Sequence, residues 1–169
     1  KVVMSKLQDW TKLSNVDAKY FSGTAKYETT FINPKGKKSD ILSLGNCNRQ
    51  VAKVSVNGVC VGTLWCEPYE ILLPEGLVKE GRNTLNVEFT NVWANRLIGD
   101  EQEKQDCEFV KAPYPGGWFL NRYPEWFKKG LSERPSKGRR CFTDWKYFTK
   151  DSKLVPSGRW GPVVISDMP

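Results

Sequence analysis

The sequence predicts an all-β fold, an antiparallel β-sandwich of the jelly-roll kind. Three observations predict it: short runs that alternate apolar and polar residues, turn residues spaced between those runs, and almost no helical periodicity. At 169 residues the chain is long enough to bury one core and cramped for two full domains, so residues 1–169 are expected to form a single module. It begins at Lys1 with no initiator methionine and reads as a module excised from a longer protein.

The first strand spans 21–31, where Phe21, Ala25, Tyr27 and Phe31 share one face and mostly polar residues take the other. Asn33-Pro34-Lys35-Gly36 supplies turn chemistry, and 40–44 reads as the next strand. The hairpin at 52–61 turns on Asn57-Gly58, a pair suited to a type I′ turn. That turn pairs Val56 with Val59 and Val54 with Val61, so four valines face one way and need a second layer to cover them. A strand at 70–73 follows. Another carries Leu85, Val87 and Phe89 and delivers the chain into Thr90–Gln102, TNVWANRLIGDEQ, read as a loop. From about 103 to 140 prolines and glycines break any period while rings persist, which predicts an ordered loop covering the sandwich, with a short helix at 124–130. Strands at 142–147 and 161–165 close the fold, so both halves of the chain are expected to build one sandwich.

Histidine is absent, which removes Ser/His/Asp and Cys/His nucleophilic machinery and every His-containing metal site. The five cysteines are odd in number and form no Cys-x-x-Cys pair, so mostly unpaired, packed thiols are expected. The net charge of +7 admits a nucleic-acid partner. Its cations are spread along the chain, however, and clusters such as Arg139-Arg140 read as solvated turns, so no nucleic-acid partner is expected. No apolar run reaches the length of a membrane-spanning helix.

Four segments carry a family likeness: Tyr20-Phe21-Ser22-Gly23-Thr24-Ala25-x-Tyr27; Val56-Asn57-Gly58 followed by Val61-Gly62-Thr63-Leu64-Trp65; Gly81-x-Asn83-x-Leu85-x-Val87; and Asn91-x-Trp93-x-Asn95-Arg96-Leu97-Ile98-Gly99-Asp100. Together they resemble the galactose-binding-like β-sandwich module of glycoside hydrolases. The likeness is strongest to the C-terminal module of α-L-rhamnosidase-like enzymes of family 106, with the sugar-binding domain of family 2 more distant. Tyr123-Pro124-Glu125-Trp126, Phe142-Thr143-x-Trp145-Lys146 and Pro156-Ser157-Gly158-x-x-Gly161-Pro162-Val163 extend the resemblance over nearly the whole chain. Arg159-Trp160 departs from the small or aliphatic pair usual before Gly161-Pro162. The resemblance implies a non-catalytic accessory module of an exported enzyme, periplasmic or at the cell surface. Its partners would be the catalytic barrel of the same parent chain and carbohydrate, including rhamnose-containing polysaccharide. It implies no cofactor; a structural calcium stays open, without clustered oxygen ligands to support it.

Two regions are candidates for carbohydrate binding or a domain interface. In TNVWANRLIGDEQ, Trp93 offers a flat face to a pyranose while Asn95, Arg96, Asp100 and Glu101 offer directional hydrogen bonds. The structural reading of the same residues is that strand phase carries Asn91 and Trp93 to the core side and Arg96 pairs with Asp100. The second region gathers Trp118, Arg122, Tyr123 and Trp126 with Trp65, Glu67 and Tyr69, which either line a docking surface or fill the second face of the sandwich. Trp160 is the ring most expected to be exposed. No catalytic residue is expected, since the carboxylates are scattered or adjacent; a purely structural domain without ligand is the alternative.

Overall fold

The computed structural model describes residues 6–37, 40–47, 49–113, 117–158 and 161–167. In chain order its strands are β1 (Thr24–Asn33), β2 (Ile41–Ser43), β3 (Val51–Val56), β4 (Val59–Leu64), β5 (Glu70–Leu72), β6 (Gly81–Thr90), β7 (Phe109–Lys111), β8 (Trp118–Leu120), β9 (Trp145–Lys146) and β10 (Val164–Ser166). The helices are α1 (Val16–Lys19), α2 (Ala94–Asp100) and α3 (Glu125–Lys129).

Alternation is cleanest in β6, and it makes that strand central: Asn83, Leu85, Val87 and Phe89 are buried in turn, and β1 and β3 pair on either side. The larger sheet runs β1-β6-β3-β4, and the facing one runs β10-β2-β5, all antiparallel. Ala52, Val54, Val56, Leu85, Val87 and Phe89 from the first meet Leu42, Leu44, Tyr69 and Leu73 from the second and its flanks. Phe89, 1% exposed, contributes about 1.5–3 kcal/mol by its burial. Because β10 pairs with β2, the end of the chain completes a sheet begun near residue 41, and the fold is the all-β sandwich expected.

The hairpin turns as predicted, with Asn57 at φ 51° and Gly58 at φ 81°. Its register differs from the prediction. Val54 pairs with Gly62 and Ser55 with Cys60, so Val61 is an extra residue in a bulge. Gly62 then sits against the facing sheet, where a Cβ would meet Ile71 Cδ1 at 2.6 Å. Val59 still pairs with Val56, yet at the turn end of the edge strand it is 51% exposed.

The segment expected as a covering loop has regular structure of its own. β7, β8 and β9 form a third antiparallel sheet, with α3 and a 3₁₀ turn at Leu131–Glu133. Strands of two or three residues are too short for a two-residue period to show, and β9 comes from a distant part of the chain.

TNVWANRLIGDEQ is not a loop either, because residues 94–100 form α2. Its buried residues Asn95, Ile98 and Gly99 fall at helical spacing. The two-residue period of β6 therefore ends at Asn91, which is 7% exposed, and Trp93, expected on the core side, is 67% exposed at the helix start. The N-terminal segment adds a 3₁₀ turn at Trp10–Lys12 capped by Asp9, and α1 capped by Asn15.

Candidate functional site

Helix α2 carries the candidates Asn95, Arg96 and Asp100, with Glu101 just past its end, and their polar atoms face the protein. Asn91, just before it, accepts from Gly23 N–H at 2.8 Å and donates to Phe21 O and Ser157 Oγ, both at 2.9 Å. Asn95, 0% exposed, donates to Val155 O at 2.8 Å and Ser157 Oγ at 3.1 Å, and its Oδ1 accepts from Val155 N–H at 2.8 Å. The pair Arg96 Nη2–Asp100 Oδ1 forms at 2.9 Å, one helical turn apart. Asp100, 3% exposed, also accepts from the backbone N–H groups of Arg140 at 3.1 Å and Cys141 at 2.7 Å. Glu101 holds Arg139 at 3.0 Å through Oε1 and Lys146 at 2.9 Å through Oε2. One helix thus clamps the 155–157 segment on one side and the third sheet with its approach on the other. A sugar finds few free polar atoms there.

Rings collect on the third sheet and α3. Phe127 stacks on Phe142 with centroids 4.2 Å apart and on Tyr123 at 5.5 Å. Beneath them Trp126, 8% exposed, meets Phe142 edge-on, donates from Nε1 to Asp106 O at 3.0 Å and lies 5.0 Å from the Arg134 guanidinium. Arg134 is held by Asp106 and by Cys141 O, so the base of the stack is fixed. Above it a shallow depression of about 540 Å³ is lined by Tyr123, Phe127, Phe142, Thr143, Asp144, Trp145 and Tyr147. Tyr123 and Tyr147 are 52% and 77% exposed, so ring faces are offered to solvent.

The candidates of the second region are therefore divided. Trp126 and Tyr69 belong to the framework, the latter 3% exposed with its hydroxyl donating to Gln50 O. Trp118, half-exposed on β8, pairs with Lys111 and Lys146 and so lies on the sheet face opposite Trp145. Arg122 is exposed beside Tyr123 but does not line the depression. Trp65 and Glu67 are exposed after β4, away from both clusters in sequence and outside the depression. Trp160 lies outside the described residues. Sequence reasoning missed Phe127, Phe142, Thr143, Asp144, Trp145 and Tyr147 as site residues; ring density at 142–148 was the available signal.

A larger cleft, about 780 Å³, opens beside β1 and is lined mainly by Trp10, Phe21, Tyr27, Leu44 and Phe89. None of the five cysteines forms a disulfide, in line with the expectation of mostly unbridged, packed thiols. Burial first, then the Asp106 carboxylate, pushes Cys107 up to about 11, and burial with Asp100 raises Cys141. Neither is poised as a nucleophile at neutral pH. Among the described residues no three Cys, Asp or Glu side chains come together as metal ligands, and no helix is long and apolar enough to cross a membrane.

A β-sandwich with clamped carboxylates and an exposed ring surface defines an all-β binding or bracing domain. Comparison with known proteins narrows this. A putative β-glucuronidase of Formosa agariphila is 40% identical over 170 residues, covering 98% of this chain and 14% of the relative. A rhamnosidase from Novosphingobium sp. PP1Y superposes with a TM-score of 0.67 at 32% identity, over 96% of this chain and 12% of that one. No family model matches. The chain spans about one-seventh of the curated relative's length, and it is a small β-sandwich domain of the kind carried within larger glycoside hydrolases.

Proposed function

We propose that this domain is a non-catalytic accessory module of a rhamnosidase-like glycoside hydrolase and that it holds carbohydrate on the ring surface of α3 and the third sheet. The observation that carries the reading is the depression in which Tyr123, Phe127, Trp145 and Tyr147 surround Thr143 and Asp144. Pyranose rings present apolar C–H faces that stack on aromatic rings, while their hydroxyls need directional partners. A rhamnose-containing polysaccharide, with its additional methyl group, suits such a surface.

Titration of the domain with a panel of polysaccharides, followed by tryptophan fluorescence, tests the reading. Saturable binding that shifts the emission is expected, and Trp145→Ala should weaken it about tenfold, the loss of one stacked ring. An unchanged spectrum with every polysaccharide would leave the bracing role. That second reading is favoured by Trp93 and Val92, 67% and 38% exposed side by side at the start of α2, which suit the core of a docking surface for the parent's catalytic domain.

A further inference from the structure

The net charge of +7 suggests an acidic ligand, yet the charges at the ring surface point elsewhere. Lys146, between Trp145 and Tyr147, is bound by Glu101 at 2.9 Å and contacts Gln105 at 3.3 Å. Arg139 and Arg140 are spent on Glu101 and Asp17. Lys128 pairs with Glu125 at 2.6 Å on α3, and neither residue lines the depression. Arg122, before α3, and Lys129, at its end, are exposed cations without an ion pair among the described residues, but they line no part of the depression. Asp144 differs from all of these. It is exposed, it is the one charged residue lining the depression, and its carboxylate makes no ion pair or hydrogen bond among the described residues.

Resting on the carbohydrate reading above, we infer that Asp144 selects the sugar: its carboxylate accepts hydroxyl hydrogen bonds from an uncharged pyranose stacked on the surrounding rings, and it repels uronate and sulfate groups. A carboxylate has two acceptor oxygens and no donor, so hydroxyls satisfy it and another anion does not. Hydrogen bonds to an ionised group are about twice as strong as neutral ones, which gives one side chain a large share of the selection. Because the depression is shallow and open along the rings, it admits an internal stretch of a chain as readily as its end.

The test compares an uncharged rhamnan with polygalacturonate at low salt, in the wild-type domain and in Asp144→Asn and Asp144→Ala, with duplex DNA as control. Thermal melting confirms that each variant folds. The wild type is expected to bind the uncharged chain at least about tenfold more tightly than the polyuronate. Asp144→Ala should lose at least about tenfold for the uncharged chain, the scale of a charge-assisted hydrogen bond. Asp144→Asn should gain for the polyuronate and narrow the ratio. Equal or tighter polyuronate binding by the wild type, or an unchanged ratio in Asp144→Asn, overturns the inference and leaves the ring surface as a carbohydrate site. Binding of no polysaccharide, or of DNA alone, overturns the carbohydrate reading itself and this inference with it.

Discussion

Asn95 and Trp93 stand two residues apart and have opposite fates. Asn95 is fully buried and fills three hydrogen bonds to the 155–157 segment. Asn95→Ala strands several buried backbone and hydroxyl groups and should cost about 3 kcal/mol in urea unfolding, given about 1–3 kcal/mol for each unsatisfied group. Trp93→Ala, at a site 67% exposed, should stay within about 0.5 kcal/mol of wild type in the same measurement. Gly99 sharpens the point. In an ordinary helix Gly→Ala gains about 1 kcal/mol, but here a Cβ would lie 2.7 Å from Tyr20 Cβ and 2.6 Å from Arg96 Nη2. Overpacking of this kind costs about 1–3 kcal/mol, so Gly99→Ala should lower the melting temperature. The residue types at 91–101 announced a polar constellation. Whether it faced solvent or protein depended on a helix whose seven residues the preceding strand pattern concealed.

At the scale of elements, α2 is the joint between the sandwich and the third sheet with its approach. Asp100 ties the 140–141 backbone to the helix and neutralises Arg96, while Glu101 holds Arg139 and Lys146. Removing one partner of a buried pair costs about 3–5 kcal/mol. Asp100→Ala is therefore expected to release the 140–141 segment and the third sheet first, seen as faster protease cleavage within residues 103–150 while the sandwich stays protected. The hairpin and the alternating strands around the core were legible, because burial on one face imposes a two-residue period. The bulge at Val61 and the third sheet were not. The first depends on Gly62 fitting beneath Ile71, and the second joins strands of two and three residues that pair across the chain.

Across the whole molecule, the missing histidine and the raised thiols shape the response to pH. With no side chain whose ordinary pKa falls between pH 6 and 8, stability should be level there. Cys107 is pushed from 9.0 to about 11 in the fold, so its protonated form is favoured in the folded chain and its contribution is intact below pH 9. Between pH 9 and 11 the unfolded chain gives up that proton first, and unfolding followed by circular dichroism should show stability falling through this window. Cys141 adds in the same direction. At pH 8 a thiol reagent should modify the exposed Cys60 and Cys66 quickly, Cys107 and Cys141 slowly, and fully buried Cys47 last. By itself the sequence determined the all-β class, the hairpin turn, the unpaired cysteines and the absence of histidine chemistry, since these follow from local period, turn residues and composition. Tertiary structure alone decided that Asn95 and Asp100 are clamps, that Trp93 is exposed, and that Tyr123, Phe127, Trp145 and Tyr147 share one surface. A side chain's surroundings come from segments tens of residues away, which no local pattern encodes.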